Sequence, residues 1–142
     1  VAGLNHWLSE TSNGRYQQFD LQFILGSLFS PLAWVIGVEW GDVIAVGQLL
    51  GEKTILNEFV AYLSLADMKN SHVLSDQSVL LATYALCGFS NFASIGIQIG
   101  GIGTLAPNQR TRITQLGVKA LIGGTIACLM TACTANFITH LW

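Results

Sequence analysis

Charged residues are scarce in this sequence of 142 residues: Asp, Glu, Lys and Arg make up 10% of it, whereas 51% of the residues are hydrophobic. An average soluble domain carries roughly 25% charged residues, and a water-soluble surface of that kind cannot be built from so few. The net charge of -2 is small and the basic residues form no patch, which excludes nucleic acid as a partner. The composition therefore indicates an integral membrane protein in contact with a lipid bilayer.

The sequence also lacks the motifs of metal sites, disulfide frameworks and enzymes. Its three cysteines, Cys87, Cys128 and Cys133, lie in apolar stretches without CxxC spacing, so we expect buried, unreactive thiols and no metal or cofactor site. No P-loop, nucleophile elbow, HExxH or dinucleotide-binding motif occurs, and the protein is therefore not expected to be an enzyme. The chain begins at Val1 without the pattern of a signal peptide, and we interpret it as part of a longer protein.

Two apolar stretches have the composition of membrane-spanning helices. Residues 21–38 contain no charged side chain, and their length is close to the ~20 residues that cross the hydrocarbon as a helix. Pro31 lies inside this stretch and is expected to kink the helix. Residues 117–142 form the second predicted span, at the C-terminus, whereas residues 1–20 are predicted to be a loop or an interfacial segment.

A third apolar stretch, residues 43–65, is divided by charged side chains into pieces of about ten residues, each too short to cross the bilayer alone. These side chains are Glu52, Lys53 and Glu58. We predict a re-entrant hairpin of two half-length helices, with Gly51–Thr54 near its tip. Non-helical backbone at membrane depth is tolerated only inside protein or beside a water-filled cavity, so this pattern favours a transport pathway.

Residues 77–107 belong to a run without Asp, Glu, Lys, Arg or His that is too long for one straight spanning helix. A glycine cluster from Gly96 to Gly103 lies within it, and each glycine lowers helix propensity by up to about 1 kcal/mol. We therefore predict a broken spanning helix. The predicted fold class is an all-α integral membrane protein, in which spanning helices accompany a re-entrant helical hairpin and a broken helix.

Glu58 is the first candidate for a functional residue. A carboxylate at membrane depth costs at least ~2.5 kcal/mol and normally faces a cavity, a partner or a substrate. In the functional interpretation, Glu58 accepts hydrogen bonds from ligand hydroxyls, with Asn57 beside it at the start of a half-helix. In the alternative interpretation, Glu58 pairs with Lys53 and merely closes the hairpin.

The predicted broken helix carries a polar stripe. Asn91, Ser94 and Gln98 recur at i, i+3 and i+7, and on a continuous helix they would share one face with Cys87. Phe89 lies two residues before Asn91, where an aromatic ring either packs or stacks on a planar ligand. Hydrogen bonding between helices explains the stripe as well as ligand binding does, so the spacing leaves both interpretations open.

Two segments resemble the signature motifs of the concentrative nucleoside transporters. Gly51–Tyr62, with the sequence GEKTILNEFVAY, is similar to the motif G-x-K-x-x-x-N-E-F-V-A-Y of that family. Tyr84–Gly96, with the sequence YALCGFSNFASIG, is similar to the second long motif, which continues to Pro107. The two motifs occur in the family's order, and the resemblance extends from about Leu4 to the C-terminus.

The resemblance implies a secondary active transporter for ion-coupled uptake of nucleosides, a multi-pass homotrimer in the inner or plasma membrane of the cell. This chain would carry the ribose-binding half of the substrate site. Glu58 would bind the ribose hydroxyls, with Asn57 beside it. Asn91 and Ser94 would contact the ribose, and Phe89 would border the nucleoside. The coupling ion, sodium or proton, would bind outside this chain. The alternative function is a non-transporting membrane assembly or gate subunit, in which the same features serve only helix packing.

Overall fold

The computed structural model describes residues 21–141, with side chains from residue 23 onward. Within this range the chain is helical and forms no strand. The helices are α1 (Leu21–Val35), α2 (Val43–Ile55), α3 (Glu58–Asn70), α4 (Asp76–Leu86), α5 (Phe92–Leu105) and α6 (Arg110–Thr139), and one turn of 3-10 helix, Pro107–Gln109, precedes α6. The predicted loop or interfacial segment, residues 1–20, lies outside the described residues.

Helices α1 and α2 pack against each other more extensively than any other pair of described helices. A side chain at Gly47 would collide with the carbonyl oxygen of Gly26 and would lie 2.8 Å from the backbone nitrogen of Ser30. The two backbones are therefore in direct contact, as is common where small residues line the interface of two helices.

Helix α1 ends at Val35, before the predicted limit at residue 38. Gly37 has a φ angle of 95°, and its amide donates to the carbonyl of Trp34 at 3.0 Å. The amide of Val38 donates to the carbonyl of Ala33 at 3.2 Å. These two bonds form a Schellman motif, which ends a helix at a residue with positive φ.

Helices α2 and α4 run parallel to each other. At their starts, Asp42 Oδ2 accepts a hydrogen bond of 3.0 Å from the amide of Ser75. At their ends, Lys53 Nζ donates a hydrogen bond of 3.0 Å to the carbonyl of Ala85. Since α3 leads from the end of α2 back to the start of α4, helices α2 and α3 form a hairpin that begins and ends on the same side of the molecule.

Helix α6 runs antiparallel to α4 and continues past it along α5. Near the end of α6, the side-chain oxygen of Asn136 accepts a hydrogen bond of 2.9 Å from Gln77 at the start of α4. Nearer the middle of α6, Cys128 Sγ donates to the carbonyl of Cys87 at 2.9 Å, just after α4 ends. The 30 residues of α6 extend ~45 Å at ~1.5 Å per residue. The interruption between α4 and α5 therefore faces the middle part of α6.

One helix among the described residues is long and apolar enough to cross a membrane by length and composition: Pro107–Thr139, with 33 residues and a mean hydropathy of 1.7. Phe23–Val35 and Phe92–Leu105 are shorter apolar helices. The helix that contains most of the predicted span at 117–142 begins earlier, because the 3-10 turn leads into α6 without a gap, and it ends at Thr139. The 15 described residues of α1 extend ~22 Å.

The hairpin differs from its prediction in both its limit and its tip. Helix α3 continues to Asn70, beyond the predicted limit at residue 65. Gly51–Thr54 belongs to α2 and does not form the tip, which lies at Leu56 and Asn57. The hairpin reverses direction at the point where the Asn57 side chain caps the first turn of α3. The position of the tip is therefore determined by this capping residue and not by the charged pair Glu52 and Lys53.

The uncharged stretch predicted at 77–107 forms two helices, α4 and α5, which are separated by residues 87–91. The glycine cluster from Gly96 to Gly103 lies inside α5 and is helical. This cluster therefore does not cause the interruption, whereas Gly88, with a φ angle of 143°, lies within it. The interruption lies immediately before α5, and Asn91 acts as the N-cap of that helix.

Candidate functional site

The tip of the hairpin and the interruption of the broken helix lie next to each other. Helix α2 ends and α3 begins at Leu56 and Asn57, while α4 ends and α5 begins across residues 87–91. The hydrogen bond from Lys53 to the Ala85 carbonyl joins the ends of α2 and α4. Four helix ends therefore meet beside the middle part of α6.

Asparagine side chains cap both helices that start at this point. Asn57 Oδ1 accepts a hydrogen bond of 3.0 Å from the amide of Val60 in α3. Asn91 Oδ1 accepts a hydrogen bond of 2.7 Å from the amide of Ser94 in α5. Asparagine is among the best N-cap residues, because its oxygen satisfies an amide that has no partner within the helix. Each asparagine thus fixes where its helix begins.

A hydrogen bond between side chains joins these two helix starts. Asn91 Nδ2 donates to Glu58 Oε2 at 2.9 Å. Glu58 is the first residue of α3, and Asn91 is only 2% exposed. The N-terminus of a helix carries about half a positive charge, so a carboxylate between two such ends is stabilised by both. The Asn91 side chain uses its oxygen for the cap of α5 and its amide nitrogen for Glu58.

A cavity of about 420 Å³ lies between residues 88–91, α5 and α6. Asn91, Ser94 and Gln98 lie along its polar side, and its apolar wall includes Ile95, Ile113 and Leu116. Pockets for small organic ligands typically have volumes of about 300–1,000 Å³ and combine apolar walls with a few polar groups. The cavity has the size and the lining of such a pocket.

Three of the five predicted site residues line the cavity, and a fourth is hydrogen-bonded to one of them. Phe89, Asn91 and Ser94 line the cavity, and Glu58 is hydrogen-bonded to Asn91. Among the described residues, the side chain of Phe89 is 79% exposed. Asn57 does not line the cavity, and its observed contact is the cap of α3.

Two interpretations from the sequence are wrong. Cys87 does not share a helix face with the polar stripe, because it follows α4 and precedes the interruption. Glu58 does not pair with Lys53, which bonds a backbone carbonyl, so the alternative that the pair closes the hairpin is excluded. Gln98 was part of the stripe but not of the predicted site, and it lines the cavity.

The cysteines are free thiols, but the prediction that they are buried holds only for Cys128. Cys87 and Cys133 are exposed among the described residues. In the same part of the chain, no group of three or more His, Cys, Asp or Glu side chains comes together as a metal site would require.

The chain was compared with known proteins. Residues 1–136 match a family model described as the C-terminus of Na+ dependent nucleoside transporters. Solute carrier family 28 member 3 of Eptatretus stoutii is 42% identical over 143 residues, a match that covers 92% of this chain and 21% of that protein. Sodium/nucleoside cotransporter 1 of Rattus norvegicus is 37% identical over 145 residues, covering 93% of this chain and 22% of that protein.

Solved structures give the same result for the fold. The structure of CNTnw in an inward-facing substrate-bound state superposes with a TM-score of 0.83 at 39% identity, covering 99% of this chain and 35% of that one. The chain thus spans about a fifth to a third of the relatives it matches.

Interrupted helices whose ends enclose a polar site are the arrangement of secondary transporters. The chain belongs to the concentrative nucleoside transporter family. It corresponds to the C-terminal part of those transporters. The family consists of transporters and not of enzymes, in agreement with the lack of a catalytic motif in the sequence.

Proposed function

We propose that this chain is the C-terminal part of a secondary active transporter that takes up nucleosides with an ion gradient, and that it binds the ribose. The observation that carries the proposal is the hydrogen bond between Asn91 and Glu58, which joins the starts of α3 and α5. Membership in the family and the names of the relatives, one of them a sodium/nucleoside cotransporter, support it.

The roles of the site residues follow from the chemistry of a ribose. A ribose offers hydroxyl groups that both donate and accept hydrogen bonds. In the proposed site, the Glu58 carboxylate accepts from these hydroxyls, and the amide of Asn91 and the hydroxyl of Ser94 bind the same sugar. The exposed ring of Phe89 borders the planar base. Asn57 acts by capping α3 and so holds Glu58 in place.

The membrane arrangement is part of the proposal. In it, α6 crosses the bilayer of the inner or plasma membrane, and the hairpin of α2 and α3 is re-entrant, entering and leaving on one side. The tip of the hairpin then lies near the middle of the membrane, because it adjoins the interruption that faces the middle part of α6. Ends of half-helices near the midplane are the usual place for solute binding in secondary transporters.

The remaining parts of the transporter lie outside this chain in the proposal. The coupling ion, sodium or proton, binds to the other part of the protein, and the whole assembles as a homotrimer, as the resemblance to the family implies. No cofactor is required, since the driving force is the ion gradient.

The test is uptake of labelled uridine and adenosine into liposomes that contain the full-length transporter carrying this chain. A sodium gradient and a proton gradient are imposed separately. Uptake above the equilibrium level under one gradient is the expected result, and it identifies the coupling ion. Folded protein that accumulates neither nucleoside under either gradient would contradict the proposal and favour a non-transporting membrane assembly or gate subunit.

A further inference from the structure

The C-terminal end of α4 is held by side chains from three different helices. A helix that stops inside a protein leaves its last carbonyl oxygens without partners in the helix, and buried carbonyls need other donors. In this chain the donors are side chains of α2, α3 and α6: Lys53 to Ala85 at 3.0 Å, Tyr62 to Thr83 at 2.8 Å, and Cys128 to Cys87 at 2.9 Å.

Lys53 is the charged member of this set and is only 2% exposed. No carboxylate pairs with it within the part of the chain that the structure describes. Its charge lies instead in the last turn of α2 and against the last turn of α4. The C-terminus of a helix carries about half a negative charge, so two such ends stabilise a buried cation.

Two charged residues of opposite sign therefore connect the hairpin of α2 and α3 to the broken helix of α4 and α5. Glu58 is bonded at the starts of α3 and α5, and Lys53 is bonded at the ends of α2 and α4. Only residues 86–90 lie between the carbonyl that Lys53 holds and Asn91, and they include Phe89. The position of the Ala85 carbonyl thus limits where the ring of Phe89 and the amide of Asn91 can lie.

We propose that Lys53 is a positioning residue of the nucleoside site: it fixes the end of α4 and thereby the location of Phe89 and Asn91, without touching the substrate. This inference rests on the proposed function. A residue that only supported folding would change the amount of transporter, whereas a positioning residue changes the affinity of each folded molecule for its substrate.

The test compares Lys53→Met with Lys69→Met in the full-length transporter. Lys69 is exposed in the last turn of α3, so it provides the same chemical change without the buried contact. Lys53→Met is expected to raise KM for uridine at least about tenfold, the effect of losing a hydrogen bond to a charged group, while Lys69→Met leaves KM unchanged. Lys53→Arg, which retains a cationic donor, is expected to recover part of the affinity.

A second pair of variants removes only one oxygen atom and so keeps the inference testable if Lys53→Met does not fold. Tyr62→Phe deletes the hydroxyl that bonds the Thr83 carbonyl, and it is expected to raise KM several-fold. Tyr84→Phe is the matched control, since its hydroxyl makes no hydrogen bond among the described residues.

The outcomes separate the inference from the proposed function. If the unmodified transporter takes up no nucleoside, the proposed function fails and the inference fails with it. If the unmodified transporter is active but neither Lys53→Met nor Tyr62→Phe changes KM, only the inference is overturned, whatever happens to the amount of folded protein. In the Asn91→Ala background, Lys53→Met is expected to have a much smaller effect on KM, because residues that act through one another are not additive.

Discussion

Asn91 and Glu58 are 33 residues apart in the chain, yet the amide of Asn91 donates a hydrogen bond of 2.9 Å to the carboxylate of Glu58. Each residue stands at the start of a helix, so the bond connects the hairpin to the broken helix. Because Glu58 keeps a second carboxylate oxygen, a ligand hydroxyl can be bound without breaking this contact. The pair is therefore both a structural link and the base of the proposed ribose site.

Asn91→Asp separates the two tasks of this side chain. Aspartate is as good an N-cap as asparagine, so α5 should keep its start. The new carboxylate cannot donate to Glu58 and places a like charge beside it, which is unfavourable. We expect KM for uridine to rise at least about tenfold, the cost of losing a charge-assisted hydrogen bond. The same change at the exposed Asn108 is the control, and an unchanged KM in Asn91→Asp would remove the pair from the site.

Asn57→Ala tests the cap of α3. The substitution removes the oxygen that accepts from the amide of Val60, and it should lower the free energy of unfolding by about 1 kcal/mol. Asn57→Asp retains the cap and should remain within a few tenths of a kcal/mol of the unmodified protein. Thermal unfolding of the full-length transporter in detergent measures both. Equal destabilisation by Ala and Asp would mean that the side chain has another structural task.

Gly47→Ala tests the contact between α1 and α2. The added methyl group collides with the carbonyl of Gly26, and such overpacking typically costs about 1–3 kcal/mol. Gly123→Ala is the control within a helix, since its added methyl group meets no atom within 4 Å among the described residues. It should be neutral or stabilising by up to about 1 kcal/mol. Similar melting temperatures for the two variants would contradict the close packing.

Glu52→Met tests a carboxylate that is incompletely satisfied. Glu52 is 5% exposed, its Oε1 accepts from Gln48 at 2.9 Å, and its Oε2 has no hydrogen-bond partner among the described residues. A buried acceptor without a partner costs roughly 1–3 kcal/mol, so methionine should raise the melting temperature of the full-length transporter. The exposed Glu39→Met should leave it nearly unchanged. A lower melting temperature for Glu52→Met would show that the carboxylate is satisfied elsewhere in the protein.

Sequence patterns predicted the interrupted helices but not where the interruptions lie. The sequence shows charges inside one apolar stretch and an uncharged stretch that is too long for one straight spanning helix. Both features indicate half-length helices. The glycine and the charged pair in Gly51–Thr54 do not mark the hairpin tip, since these residues belong to α2. An asparagine before the first turn of a helix was the better signal, and it marks both Asn57 and Asn91.

The contacts that build the site could not be read from the sequence. The spacing of Asn91 and Ser94 left packing and binding equally open, and the cap explains why the pair recurs at i and i+3. The partner of Lys53 is a backbone carbonyl, which every residue carries, so no pattern identifies Ala85. Such partners are determined by tertiary packing, which brings the end of α4 to α2.

The measurement that tests the central claim most directly compares uridine with 2′,3′-dideoxyuridine in uptake by the unmodified transporter and by Glu58→Gln. Glu39→Gln, at an exposed position, serves as the matched control. A site built to bind hydroxyl groups rejects an analogue that lacks them, so the unmodified transporter and the control should prefer uridine by at least about tenfold in KM.

Glu58→Gln should lose most of this preference, chiefly through weaker binding of uridine. That result would establish Glu58 as the group that recognises the ribose hydroxyls. A Glu58→Gln transporter that still discriminates between the two nucleosides as the unmodified protein does would contradict the account.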